Sequence, residues 1–398
     1  MKILFVSAVL PYPLHSGGQI RIYNLLKRLG AKHEITLCAF VRRPDELQYL
    51  KELPFCRYVY MIYRGSAWQP NYVLKASFGR YPFLLTTYDN SAMRELLNGL
   101  LTQGQYDLIH LEPFYVWPSV PKTRIPIVVG EHNVEYEVYQ HYVRRFPVVP
   151  LRPLLYLDTL KLRFWEGYIW RKADAITAVS QYDERVIRRL NKKVYRVSNG
   201  VDLTEFPFDE KRMIHEDPVL LFVGNFKWLP NRDAARRLVS DIWPLVLERF
   251  PRAKLRIVGR TIPTWLRKLR AQPLGLSVDE NVVDIRLEYE GADVLVAPLS
   301  IAGGTKFKIL EAFASGLPVI TSKEGIAGLG VKRDYHYLEA DTSTEYVEQI
   351  KRFFENKNLR QKLAINARRF VETSYGWDQI VKKLEVVWQD TYAKNKDH

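Results

Sequence analysis

The segment Gly303-Gly304-Thr305-Lys306-Phe307-Lys308-Ile309-Leu310-Glu311 combines several kinds of group that suit a phosphorylated ligand. A glycine turn that opens a helix offers backbone N–H groups and the positive end of the helix dipole to an anion. Thr305 adds a hydroxyl, and Lys306 and Lys308 add two cations at the same mouth. Glu311 follows Lys308 by three residues, so both lie along one helix face, where the carboxylate can accept from ribose hydroxyls. The same spacing also suits an ordinary exposed Lys–Glu helix pair. The pattern G-x-x-x-x-G-K-[ST] is not met, which speaks against a P-loop ATPase.

Two more places carry chemistry-bearing residues. The loop Pro11-Tyr12-Pro13-Leu14-His15-Ser16-Gly17-Gly18 follows an apolar run and opens a helix, so Gly17 and Gly18 let a ligand approach the backbone. It lacks the G-x-G-x-x-G fingerprint, and a Gly-Gly pair also serves as a plain turn. In Glu131-His132-Asn133-Val134-Glu135, His132 falls just past the apolar run 127–130. That is the C-terminal end of an expected strand, where open α/β sheets bind ligands. No metal is expected there, because Glu131 and Glu135 flank a single His and no Asp-x-Asp pair occurs in the chain.

Positioning these loops falls to a repeating order of β-branched run, Gly- or Pro-bearing turn and amphipathic helix, which predicts the α/β class with parallel sheets. Strands are expected at 3–8, 35–40, 108–111, 127–130, 175–179 and 194–197, and helices at 18–29, 182–190 and in a longer segment ending near 172. The rhythm breaks at Asn199-Gly200-Val201-Asp202 and the polar stretch 207–218. It restarts with strands at 219–223, 255–258, 282–285, 294–297 and 319–321. Helices are expected at 232–248, about 305–314, 344–355, 359–372 and 377–392. Two Rossmann-like halves follow, 1–205 and 206–375, with a last helical segment over 376–398. The aromatic- and Arg-rich segments 55–100 and 113–155 interrupt the rhythm and either shape a cleft or cover a core edge.

The net charge is +15, of which +10 falls in residues 1–205. That excess favours anionic partners such as nucleotide phosphates, anionic lipid headgroups or nucleic acid. No nucleic-acid recognition motif is present, so nucleic acid is not expected as a partner. A hydrophobic share of 47% suffices for two cores and excludes global disorder. Cys38 and Cys56 make neither a disulfide framework nor a metal pattern, and Cys38 sits in the apolar run 35–40 as a small buried hydrophobe. A reducing, cytoplasmic compartment fits. No apolar run approaches the ~18 residues needed to cross a bilayer, and the apolar N-terminus reads as a strand rather than a signal peptide.

Taken in order, these residues resemble the retaining glycosyltransferase family 4, of the two-domain GT-B type, over essentially the whole chain. The resemblance is carried by Gly17-Gly18, His132, Asn199-Gly200-Val201-Asp202 with Phe206, and Phe222-Val223-Gly224. It continues through the strand ending at Gly259, Ala292-Asp293-Val294 and Glu311-Ala312-Phe313-Ala314-Ser315-Gly316-Leu317-Pro318-Val319. It implies a UDP- or GDP-sugar donor held by the C-terminal half, an acceptor held by the N-terminal half, no metal cofactor, and a last helix that returns to the first domain. Glu311 would bind the donor ribose, Lys308 would lie near the diphosphate, and His132 would touch the transferred sugar or its leaving-group oxygen. Gly17, Gly18, Gly303, Gly304, Thr305, Lys306 and Phe307 complete the expected donor contacts. Two positions depart from the family pattern. Gly303 stands where the first Glu of Glu-x7-Glu is usual, and Asn225 stands where an Arg often follows the glycine, with Lys227 placed to supply the charge.

The implied reaction is retaining, metal-independent transfer of a hexose-type sugar to a glycan or lipid-linked acceptor, as in cell-surface polysaccharide assembly. Without a metal, the leaving diphosphate must be neutralised by a helix N-terminus and lysines. A GT-B epimerase or phosphorylase, and a non-catalytic sugar-nucleotide binder, remain alternatives. The segment 151–172 mixes Leu154, Leu155, Leu157, Phe164, Trp165 and Trp170 with Arg152, Lys161, Arg163, Arg171 and Lys172. It is expected either to lie on the inner face of an anionic membrane or to be a core helix with a basic exposed side.

Overall fold

The alternation of β-branched runs with amphipathic helices folds as two fully parallel sheets. The computed structural model describes residues 1–144, 146–210, 212, 214–269, 275–300 and 306–396. The first sheet comprises β1 (Lys2–Ser7), β2 (Glu34–Val41), β3 (Tyr58–Tyr63), β4 (Leu108–Glu112), β5 (Ile127–Glu131), β6 (Ala175–Ala178) and β7 (Val194–Arg196). Its order is β3-β2-β1-β4-β5-β6-β7, with every ladder parallel. The second comprises β8 (Val219–Asn225), β9 (Lys254–Arg260), β10 (Leu276–Glu280), β11 (Val294–Ala297), β12 (Val319–Thr321) and β13 (Leu338–Glu339). Its order is β10-β9-β8-β11-β12-β13, again parallel. In both, the strand order reverses beside the first strand of the sheet, between β1 and β4 and between β8 and β11. The C-terminal ends at such a reversal are where doubly wound sheets hold ligands.

The chain divides into two compact units, Met1–Asn199 with Ile380–His398, and Gly200–Gln379. Central strands are buried on both faces, as a parallel sheet covered by helices requires: every residue of β4 and β11 is buried. The last helix, Trp377–Lys396, buries Ile380, Leu384, Val387 and Trp388 in the first unit, the spacing of a single apolar helix face. Glu385 on that helix accepts from Lys32 Nζ at 2.8 Å and pairs with His33 Nε2 at 3.1 Å.

Four elements differ from expectation. β3 lies inside the segment read as an aromatic interruption, as an edge strand with Tyr58 and Tyr63 exposed. A strand forms at Leu276–Glu280 rather than at 282–285, where Val283 is fully exposed. The helix expected at 232–248 is three pieces, Leu229–Arg237, a π turn Leu238–Ile242 and Trp243–Arg249. Pro244 enters the first turn of the last piece, where its missing N–H costs nothing. β13 has two residues, too few to leave a pattern.

Candidate active site

In the first unit, the C-terminal ends of β1, β4 and β5 converge on one buried carboxylate. Helix Gly17–Leu29 starts at Ser16, whose hydroxyl accepts from Gln19 N at 3.4 Å. Its buried Arg21 donates Nε to Glu112 Oε1 at 2.7 Å and Nη1 to Val197 O and Ser198 O, each at 3.0 Å. His132 Nε2 meets the same Glu112 oxygen at 2.7 Å, and His110 Nε2 meets Oε2 at 2.6 Å. Trp388 Nε1 lies 3.1 Å from His110 Nδ1. An indole N–H can only donate, so His110 Nδ1 accepts and the His110 proton sits on Nε2, facing the carboxylate. Burial alone would raise the Glu112 pKa. The Arg21 charge and the hydrogen bonds from His110 and His132 outweigh it and hold the group well below the usual carboxylate range.

His132 therefore donates Nε2–H to an ionised carboxylate and turns Nδ1 the other way. A Cβ built on Gly18 would lie 3.6 Å from that Nδ1 and 3.4 Å from Cε1, so the ring edge rests against the Gly17-Gly18 turn. An imidazole anchored on a carboxylate, with its second nitrogen partly open, can accept a hydrogen bond or a proton from a sugar hydroxyl. Glu112, Arg21, His110 and Trp388 were not among the expected site residues. The available signals were a Glu at a strand's C-terminal end and an Arg one turn into the Gly-Gly helix.

Gly130 makes room for this carboxylate. A Cβ there would come within 2.3 Å of Glu112 Oε2 and 2.7 Å of Cδ. Glu112 is held by three donors and cannot swing aside, so Gly130→Ala is expected to destabilise the protein by more than ~2 kcal/mol. Thermal unfolding of the variant checks this, and an unchanged midpoint would show that the carboxylate can move.

Glu131 points the opposite way from its neighbour His132. Its Oε1 accepts from Trp170 Nε1 at 2.7 Å, and Oε2 has no partner among the described residues. Glu166 caps helix Glu135–Arg144 by accepting from Glu135 N at 2.7 Å and Tyr136 N at 2.9 Å. Burial, then mutual repulsion with Glu166, pushes Glu131 well above the carboxylate range. A raised folded pKa favours the unfolded chain as pH climbs past the ordinary carboxylate value. Glu131→Gln keeps an acceptor for Trp170 and is expected to raise the melting temperature by a few degrees at pH 8 but hardly at pH 4.5. Equal shifts at both pH values would contradict a buried protonated acid. Among the described residues, no three His, Cys, Asp or Glu side chains are grouped to hold a metal ion.

In the second unit, β8 ends at Asn225 and β11 leads towards helix Phe307–Ala314. Gly303, Gly304 and Thr305 lie outside the described residues. Lys308 Nζ donates to Asn231 Oδ1 at 2.7 Å and sits 4.4 Å from the centroid of the Phe222 ring. Asn231 is held in turn by donating Nδ2 to Asn225 O at 2.8 Å. Burial of its ammonium, and then the charge of Lys306, lowers Lys308 to about 7. Lys306 is buried, donates to Glu324 O at 3.0 Å and is lowered by burial to about 8. Glu311 accepts from Tyr289 Oη at 2.7 Å, and burial raises its pKa.

Lys308 thus bonds to Asn231 and Glu311 to Tyr289, rather than pairing with each other as an exposed helix pair would. Two ammonium groups brought into a low-dielectric site beside an aromatic ring are costly in isolation and are favoured by an arriving anion. Asn225 spends its side chain on its own turn, accepting from Lys227 N at 3.1 Å, while the Lys227 side chain is exposed. Phe307 is partly buried beside Lys306. Asn231 and Tyr289 were not among the expected site residues, and nothing in their sequence spacing distinguishes them.

Comparison with known proteins agrees across the chain. The family described as Glycosyltransferase Family 4 matches residues 15–205, and that described as Glycosyl transferases group 1 matches residues 217–356. A 44.6 kDa protein of the cps region of Klebsiella pneumoniae is 22% identical, over 96% of this chain and 98% of its own. Sucrose-phosphate synthase from Thermosynechococcus elongatus superimposes with a TM-score of 0.73 at 18% identity, covering 99% of this chain and 100% of its own. Anabaena HepE, solved in complex with UDP-glucose, does so with a TM-score of 0.64 at 14% identity, covering 98% and 100%. With both halves matched in order, the chain belongs to the family 4, group 1 glycosyltransferases and is a transferase of the GT-B type.

Proposed function

We propose that this glycosyltransferase moves a hexose-type sugar from a UDP- or GDP-sugar to a glycan or lipid-linked glycan acceptor. In this reading the anomeric configuration is retained, no metal takes part, and the protein works in the cytoplasm at the inner face of a membrane. The observation that carries the reading is the pair Lys306 and Lys308, two lysines lowered by burial at the start of helix Phe307–Ala314. Once an arriving diphosphate has drawn both into the ammonium form, these charges neutralise it as it leaves without further reorganisation. The released diphosphate oxygen then takes the acceptor's proton on the face from which it left, so a glycosidase-like pair of carboxylates is not required. Glu311, oriented by Tyr289, accepts from the ribose hydroxyls. His132, anchored on Glu112, meets the sugar through Nδ1. The HepE complex with UDP-glucose supports a nucleotide-sugar donor by analogy of fold.

The test is a thermal-stabilisation screen of UDP-, GDP- and ADP-sugars, followed by donor hydrolysis and NMR of the anomeric configuration of any product. Stabilisation by one nucleotide class and a product of unchanged configuration are expected. No stabilisation by any of them, or an inverted product, would overturn the reading.

A further inference from the structure

Helix Arg152–Lys172 buries one side through Thr159, Leu162, Glu166, Ile169 and Trp170. The other side presents Leu154, Leu157, Leu160, Phe164 and Tyr168, with Leu157 59% and Phe164 63% exposed. Intervals of three and four residues place these five on one stripe about 21 Å long. Of the apolar residues noted in this segment, Trp170 belongs to the core, as the core-helix alternative has it, and Leu160 takes a place on the stripe.

The apolar surface continues beyond this helix. Lys161 Nζ donates to Ala76 O at 2.8 Å and to Gly79 O at 3.0 Å, and Trp165 Nε1 donates to Arg80 O at 2.8 Å. These bonds fix the end of helix Pro70–Phe78 against the middle of Arg152–Lys172. In Pro70–Phe78 only Ala76 is buried. Val73, Leu74 and Phe78 are exposed, Phe78 at 89%, and Trp68 just before them is 78% exposed. Among the described residues, no other element covers this two-helix face of the unit.

Charge identifies the occupant. Residues 142–172 hold seven Lys and Arg against two acids, and residues 64–87 hold three against none. Both acids are turned inward: Asp158 accepts from Phe83 N at 2.8 Å, and Glu166 from the backbone of Glu135 and Tyr136. Lys75, Arg80, Arg144, Arg163, Arg171 and Lys172 are exposed around the apolar stripe. A protein interface ordinarily mixes both signs at its rim. Leu and Phe whose exposed charged neighbours on these two helices are cations match a bilayer whose acyl chains lie beneath anionic headgroups, with Trp and Tyr at the boundary.

We propose that the paired helices Pro70–Phe78 and Arg152–Lys172 form one docking face by which the first unit lies on an anionic lipid surface. This deepens the membrane-side reading above and rests on it for the acceptor that would be met there. The bilayer contact itself is independent of the chemistry.

The full chain should be sedimented with phosphatidylcholine vesicles and with vesicles carrying 30% phosphatidylglycerol, at low and high salt. It should pellet with the anionic vesicles and not with the neutral ones. Substituting Arg163, Arg171 and Lys172 by Gln should weaken partitioning by about fivefold per cation removed. The triple variant Leu157→Gln, Leu160→Gln, Phe164→Gln should abolish pelleting at both salt concentrations. Both variants should hydrolyse donor in vesicle-free solution like the parent. No pelleting of the parent with anionic vesicles, or pelleting of the apolar variant like the parent, would overturn the proposal. So would a parent that is a dimer and a variant that is a monomer, since a second copy would then cover the face. A parent that binds vesicles but neither binds nor hydrolyses any donor sinks the transferase reading and leaves this one standing.

Discussion

Replacing Lys308 with Met is expected to cut the single-turnover rate of sugar transfer by about 10²–10³, the scale for removing one fixed group from a charge that grows in the transition state. Donor affinity should fall much less, because the interaction is strongest when the diphosphate leaves. Stability should not fall. A lysine lowered by burial to about 7 costs the folded state stability at neutral pH, and that cost fades as pH rises from about 7 towards 10.5. The variant should therefore melt at or above the parent temperature at pH 7. Replacing Glu311 with Ala is the counterpart. Ribose hydroxyls do not change during the reaction, so nucleotide binding should weaken by about 1.5–3 kcal/mol while the bound donor reacts at a near-normal rate. An exposed Lys–Glu helix pair, worth about 0.2–0.5 kcal/mol, would leave binding and rate untouched in both variants. Calorimetry and rapid-quench rates on the two variants distinguish these outcomes.

His132→Ala is expected to lower kcat by about 10²–10⁴ and leave nucleotide affinity near that of the parent, since nothing in the account has it touch the nucleotide. Glu112→Gln should show a different pattern. Removing this charge leaves Arg21 buried beside a neutral amide, so the variant should lose about 3–5 kcal/mol of stability in addition to activity. If His132 served only to satisfy Glu112, its removal would lower the melting temperature and reduce turnover only in proportion to the folded fraction. A His132→Ala enzyme with normal kcat at a temperature where it is folded would remove the residue from the chemistry.

Most of the architecture was legible because it depends on apolar runs longer than chance gives. β1, β2, β4, β5 and β8 are buried along most of their length, and such runs stand out as apolar, β-branched stretches. The edge strands were not legible. β10 alternates Leu-Ser-Val-Asp-Glu with only Val278 buried, while Val282-Val283 next to it looks more like a strand and is irregular backbone. Asn281 takes φ 57° there, which ends the strand. β3 is hidden because no residue in it is fully buried and both of its ends, Tyr58 and Tyr63, face solvent, so no apolar run marks it.

At the candidate site, Lys308, Glu311 and His132 stand out in the sequence, and the groups that hold them do not. Lys308, Glu311 and His132 lie in short patterns after strands. Their supports, Asn231, Tyr289 and Glu112, come from 77, 22 and 20 residues away and are brought close only by the order of strands in each sheet. A support of that kind leaves no local spacing. Lys227, which the family pattern suggests in place of the missing Arg charge, has an exposed side chain, and the nearby Asn231 is the group that holds Lys308.

The central claim is that Lys306 and Lys308 receive the donor diphosphate, and proton linkage tests it most directly. With values of about 8 and 7, the free protein at pH 8 holds Lys306 roughly half protonated and Lys308 roughly one tenth protonated. A bound diphosphate favours both ammonium forms, so binding must take up protons. Calorimetric titration with the stabilising nucleoside diphosphate, at pH 8 in buffers of different ionisation enthalpy, should report an uptake of roughly one to one and a half protons per nucleotide. The uptake should drop by roughly one proton in Lys308→Met, leaving the share of Lys306, and affinity should fall as pH rises from 7 to 9. Binding with no proton uptake, equal in parent and variant and flat across that pH range, would place the diphosphate elsewhere and contradict the account.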